Sequence, residues 1–186
     1  MAERTSEPFV ISRRLKAPRP LVFDAFTEAE HLKHWMGPKG FVMQHCRVDL
    51  RPGGVFHYGL MAIAAPGAAA GTDLRADDAK ELPSMWGLWT FREIVRPERL
   101  VVVTQFSDPQ GGLAKSPFPG PWPLRTLSTT TFDEEGDSTL VTLRWQALEA
   151  TDEEERAFAA AFASMTQGWT GTFEQLEDYL ALQTQE

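Results

Sequence analysis

The sequence predicts an α+β fold, in which a curved antiparallel sheet of about seven strands is followed by one long C-terminal helix. Three observations carry that reading. Between Thr151 and Leu182 the apolar residues Phe158, Phe162, Met165, Trp169, Phe173, Leu176 and Leu180 recur only at spacings of three and four. That spacing lines them along one stripe of a helix about 45 Å long. Upstream, short segments alternate apolar with polar residues in the period-two pattern of half-buried strands, parted by Pro/Gly-rich or acidic turns. Finally, so broad a stripe of bulky side chains needs a broad partner. The strands supply one, and a sheet wrapped about a long helix can leave a hollow between them.

Taken in order, residues 1–8 are polar and read as a flexible N-terminus, 9–182 as a single domain, and 183–186 as a tail. Phe9 to Leu15 is the first strand. Ala17-Pro18-Arg19-Pro20 breaks it and opens a short helix through Phe26, because proline suits a helix's first turn. Thr27 with Glu30 is a capping-box signature and starts a second short helix ending near Trp35, where Gly37-Pro38-Lys39-Gly40 stops it. Six strands follow: Phe41 to Leu50, Val55 to Leu60, Met85 to Val95, Leu100 to Phe106, Leu127 to Phe132 and Thr139 to Trp145. Thr151 with Glu154 repeats the capping box, and Asp152, Glu153 and Glu154 suit the positive end of the long helix's dipole.

Two connections are long: 62–84, Ala/Gly-rich and then charged, and 107–125, which carries five prolines. In a meander alternate turns fall at opposite ends of the sheet. The short turns at 51–54, 96–99 and 134–137 therefore share one end, and both long loops share the other, where the long helix begins. There they sit over any cavity between helix and sheet, either as lids or as packed flaps. Gly168 and Gly171 lie inside the helix, each costing about 1 kcal/mol relative to alanine. They signal a kink, a close backbone approach, or room left beside Trp169.

Composition excludes several classes. A net charge of −8 argues against a nucleic-acid surface, which needs clustered Lys and Arg. No apolar run approaches the roughly 18 residues of a membrane span, and the N-terminus lacks a signal-peptide core. The single Cys46 excludes an intrachain disulfide and fits a reducing cytoplasm. There is no asparagine, hence no N-glycosylation.

Catalytic signatures are missing: no G-x-S-x-G elbow, P-loop, H-E-x-x-H or paired C-x-x-C. His31 and His34 read as exposed helix residues, while His45 and Cys46 are strand neighbours that point to opposite faces and cannot share one ion. No metal and no cofactor is implied. Glu93 falls in register with Met85, Gly87, Trp89 and Phe91. If that face turns inward, Glu93 is a buried acid with a raised pKa, a general base or ligand anchor. The alternative is that this end of the strand frays or that Glu93 pairs with an arginine such as Arg144. His57 could face either side of its strand. The strongest physical hint is aromatic: six Trp and twelve Phe suit the lining of an apolar pocket, and equally the filling of a core. Trp122, in Pro121-Trp122-Pro123, is the least core-like.

Order and motifs together resemble the SRPBCC superfamily, also called START-like or birch-pollen-allergen-like, and within it the branch related to the activator of the ninety-kilodalton heat-shock protein's ATPase. The matching residues are Ala17-Pro18 with Val22-Phe23 and Ala25-Phe26, then Trp35, then Asp49-Leu50-Arg51-Pro52-Gly53-Gly54-Val55-Phe56. They continue with Gly87, Phe91, Glu93-Ile94, Pro97-Glu98-Arg99-Leu100, Thr139 with Leu143, Gly168-Trp169, Leu176 and Tyr179-Leu180. The resemblance implies a helix-grip fold around a hydrophobic cavity. Members bind lipids, sterols, polyketides or other apolar molecules, and some are cyclases or hydrolases. The branch shares no catalytic residue set, so none is carried over.

The reading is therefore a non-catalytic binder of a small hydrophobic or aromatic molecule. Its expected cavity walls are Trp35, Phe41, Phe56, Tyr58, Trp89, Phe91, Phe106, Phe162, Met165 and Trp169, with Met85 and Trp122 at the rim and Glu93 or His57 fixing orientation. A cyclase- or hydrolase-type enzyme using Glu93 or His57 as base is the second reading. A chaperone-associated interaction module is the third, and it calls for an apolar outer sheet face with no open cavity. The sequence leaves a homodimer undecided.

Overall fold

The structure, a computed structural model, describes residues 7–63 and 84–184. Most of the expected flexible N-terminus, nearly all of the loop at 62–84 and the end of the expected tail lie outside the described residues.

Seven strands form one antiparallel sheet: β1 (Phe9–Leu15), β2 (Phe41–Val48), β3 (Val55–Ala62), β4 (Ser84–Val95), β5 (Arg99–Phe106), β6 (Arg125–Glu135) and β7 (Ser138–Leu148). Their spatial order is β1-β7-β6-β5-β4-β3-β2, a meander whose last strand is joined at the far edge by the first. Helices α1 (Arg19–Thr27) and α2 (Ala29–Trp35) follow β1, and α3 (Asp152–Ala160) and α4 (Phe162–Gln183) follow β7. The α+β arrangement expected from the sequence is the one observed.

Two local expectations fail for physical reasons. Thr27 forms no capping box. It is buried and donates its hydroxyl to the Phe23 carbonyl at 2.9 Å, so Glu28 becomes the N-cap of α2 without a side-chain bond. A hydroxyl turned into the core takes the carbonyl one turn back, the nearest acceptor there. By contrast Thr151 does cap α3. Its hydroxyl accepts from the Glu154 N–H at 3.3 Å, and Glu154 Oε2 accepts from the Thr151 N–H at 2.8 Å.

The terminal helix is also broken, at Ala161 and not at either glycine. There the N–H bonds the Phe158 carbonyl three residues back at 3.1 Å, with φ −87° and ψ −3°, and α4 starts afresh. Such a tightened step redirects the chain. It lets Phe158 sit in a small cluster with Phe9 and Leu143 while Phe173, Leu176 and Leu180 reach the main core. Gly168 and Gly171 both lie inside regular α4.

The main core fills one end of the molecule. Phe23 and Phe26 each meet Phe132 with ring centroids 5.2 Å apart, and the Trp35 indole donates to the Ala25 carbonyl at 2.9 Å. The second half of α4 closes this end: its buried residues are Thr172, Phe173, Leu176 and Leu180, with none before Thr172. Arg13 forks onto Glu177 at 2.9 and 2.6 Å, tying β1 to α4. On the other flank His31 bonds the Tyr179 hydroxyl at 2.7 Å and His34 stacks on the same ring. Expected as exposed, His31 is therefore half-buried in a helix–helix seam.

Candidate binding cavity

The first half of α4 stands off from the sheet, and the space beneath it is a cavity of about 690 Å³. Its floor is the inner face of β3 to β7, its roof α3 and α4. Its rim is the proline-rich segment Phe118–Leu124 of the second long loop. Small residues on the helices make the room: Ala157, Ala160 and Ala161 face it, and a Cβ built on Gly168 would meet nothing within 4 Å. The glycine thus marks open space beside Trp169.

Close approach of strands shapes the floor. A Cβ on Gly87 would lie 2.3 Å from the Tyr58 ring, so Tyr58 lies flat across its cross-strand partner on the inner face. One step along, Trp86 covers Gly59 on the outer face in the same way, at 2.9 Å. Glycine at both positions is what lets an aromatic ring lie down on the neighbouring strand.

The lining is mainly apolar, with a polar strip along β5 and β6. Thr126, Ser128 and Thr130 occupy successive inward positions on β6, and Thr104 faces Thr126 from β5. Thr104 Oγ1 and Thr126 Oγ1 are 2.5 Å apart, and the Trp145 indole N–H donates to Thr126 Oγ1 at 2.6 Å. Among the described lining residues Tyr58 alone is ionisable. Burial pushes its hydroxyl up to about 12, with a Trp89 hydrogen bond acting the other way. It is neutral at ordinary pH.

Of the residues expected at the cavity, Tyr58, Met85, Trp89, Phe106, Trp122, Met165 and Trp169 line it. Six do not. Trp35, Phe56 and Phe91 are fully buried in the main core, packed beyond the reach of the hollow. Phe162 lies in the satellite cluster, 5.6 Å from Phe9 and 5.7 Å from Phe158, because the break at Ala161 re-phases the stripe. Phe41, half-buried at the start of β2, is outside the lining.

Glu93 is the sixth, and its displacement has a clear cause. A β-bulge between Phe91 and Glu93 inserts one residue, so Glu93 pairs with Val101 while Phe91 pairs with inward-facing Val102. The alternation flips, and Ile94 takes the inward place against the core. Glu93 is half-exposed and held by Arg99, not Arg144, with Arg99 Nε 2.6 Å away. His57 is likewise outside the cavity. It is buried on the outer face, where its Nε2 lies 3.2 Å from the Asp108 carbonyl and its ring contacts Trp86 and His45. Neither expected base reaches the hollow.

Sequence reasoning missed the hydroxyl strip and the small helix residues. The strip had a signal: Thr126, Ser128 and Thr130 share strand parity with buried Phe132. Among the described residues no three His, Cys, Asp or Glu converge as metal ligands, and no helix is long and apolar enough to cross a membrane.

A meander that grips a terminal helix around a hollow is the helix-grip architecture of the SRPBCC superfamily. A model of the family described as activator of Hsp90 ATPase homolog 1-like protein matches residues 16–181, and the chain belongs to that family. Solved structures agree on the fold. A protein of Nitrosomonas europaea matches with a TM-score of 0.69 at 22% identity over 100% of both chains. A Rhodobacter sphaeroides protein gives 0.68 at 16% over 97% of each, and the AHSA1 protein of Silicibacter pomeroyi 0.66 at 13% over 95% of this chain and 99% of its own. No curated protein matches the chain.

Proposed function

We propose that this protein binds a small, uncharged, largely apolar molecule in the cavity and performs no chemistry on it. One observation carries the reading: a hollow of about 690 Å³ whose described lining holds no ionisable side chain except a neutral tyrosine. A charged guest would be buried there without a counter-charge, at a cost of several kcal/mol. An apolar guest gains about 25 cal/mol per Å² of surface removed from water, so roughly 200 Å² gives about 5 kcal/mol before association costs.

General acid–base work needs a group that titrates near neutrality within reach of the substrate. Glu93 and His57, the bases that reading required, lie elsewhere. The interaction-module reading called for an interior without an open cavity, and the hollow weighs against it. The half-buried free thiol of Cys46 fits a cytoplasmic setting.

Two measurements test the proposal. Native mass spectrometry of protein purified from its own host should retain a neutral small molecule. Titration with the uncharged fluorophore N-phenyl-1-naphthylamine should saturate at one site, and Trp169→Ala should weaken it about tenfold, the loss of one large contact. Unchanged affinity in that variant would count against the cavity as the site.

A further inference from the structure

The polar strip specifies which neutral molecules fit, an inference that rests on the binding reading above. Trp145, Thr126 and Thr104 form a chain that contains three protons and two internal hydrogen bonds. The Trp145 indole can only donate, so Thr126 Oγ1 accepts from it at 2.6 Å. Either hydroxyl of the Thr104–Thr126 pair could donate across their 2.5 Å separation, but Thr126 is 3% exposed, and among the described residues Thr104 is its one acceptor, so the arrangement that satisfies the buried hydroxyl sends its proton to Thr104. The Thr104 proton is left over. Among the described residues it has no third partner, and Thr104 is half-buried against the cavity.

We propose that the Trp145–Thr126–Thr104 chain is a hydrogen-bond donor aimed into the cavity, and that the ligand is a neutral, largely apolar molecule bearing a carbonyl-type oxygen. A guest that covers half-buried Thr104 without accepting its proton leaves a desolvated donor unpaired, so the site prefers a guest that accepts it over a purely hydrocarbon guest of equal shape. The half-buried Trp145 indole, packed edge-on against Phe158, can only donate and so starts the chain, and each bond polarises the next.

The matched pair 9-fluorenone and fluorene differs only by a carbonyl in place of a methylene. Their affinities, read by quenching of the protein's tryptophan fluorescence, give a ratio that cancels shape. Thr104→Val should reduce fluorenone binding about fivefold to tenfold while fluorene binding stays unchanged, the range of one hydrogen bond. Thr104→Ser should restore the wild-type ratio. Where valine disturbs packing, weaker fluorene binding reveals it, and Thr104→Ala then serves for the same comparison. A ratio unmoved by removing the Thr104 hydroxyl, with fluorene still bound, overturns this inference alone. Binding of neither compound by the wild type overturns the binding reading and this inference with it.

Discussion

The two halves of α4 cover the same sheet and do opposite things. Beyond Thr172 the helix presents Phe173, Leu176 and Leu180 to a close-packed core of Phe23, Phe26, Trp35, Phe56 and Phe132, backed by α1 and α2. Before Thr172 it presents Ser164, Met165, Gly168 and Trp169 to a cavity of about 690 Å³. Nothing in aromatic content separates the two. What separates them is support: α1 and α2 fill the space under the second half. Under the first half, alanines and a glycine leave the space empty, with a proline-rich rim across its edge.

That contrast makes predictions of decreasing size. Phe173→Ala, in the packed half, should destabilise the fold by about 3–5 kcal/mol in urea unfolding. Trp169→Ala, in the hollow half, should cost about 1 kcal/mol, since its ring already borders empty space. Equal losses would erase the distinction between the halves.

Next in size is the titration of Tyr58. Its folded pKa of about 12 lies above the unfolded value of 10. The folded state therefore holds the proton more tightly. This stability is fully present below about pH 10 and is lost as pH rises toward 12, at about 1.4 kcal/mol per unit. Tyr58→Phe should flatten that slope. An unchanged slope would mean that the tyrosine is open to bulk water. Binding of a neutral guest should not change between about pH 5 and 9, because no described lining group titrates there.

Gly87→Ala should cost about 1–3 kcal/mol, because its Cβ would drive the Tyr58 ring off the floor. The effect should be smaller in the Tyr58→Ala background. Smallest of all, Gly168→Ala should raise stability by up to about 1 kcal/mol, since the helix gains and nothing stands in the way. Destabilisation there would place a neighbour where the structure has open space.

Much of this fold was readable from local chemistry. Period-two alternation located the strands, and the Thr151–Glu154 box located the start of α3. What escaped was whatever depends on one residue of phase. The bulge at Phe91/Glu93 moves a carboxylate from the inner face to the outer, and the single step at Ala161 moves Phe162 out of the cavity stripe. Neither leaves a compositional mark, because both are settled by which side chains the rest of the core can hold. Thr126, Ser128 and Thr130 were overlooked for the opposite reason. Polar residues on an inner face contradict the ordinary alternation, which reads them as solvent-facing.

The hollow itself is best tested by filling it from within. Gly168→Leu extends an isobutyl group from α4, which lines the cavity there, at a position where the new Cβ meets nothing within 4 Å beyond its own chain neighbours and helix backbone. The account predicts a melting temperature equal to or above the wild type's, together with loss of saturable N-phenyl-1-naphthylamine binding. A plugged variant that folds and still binds with wild-type affinity would contradict it.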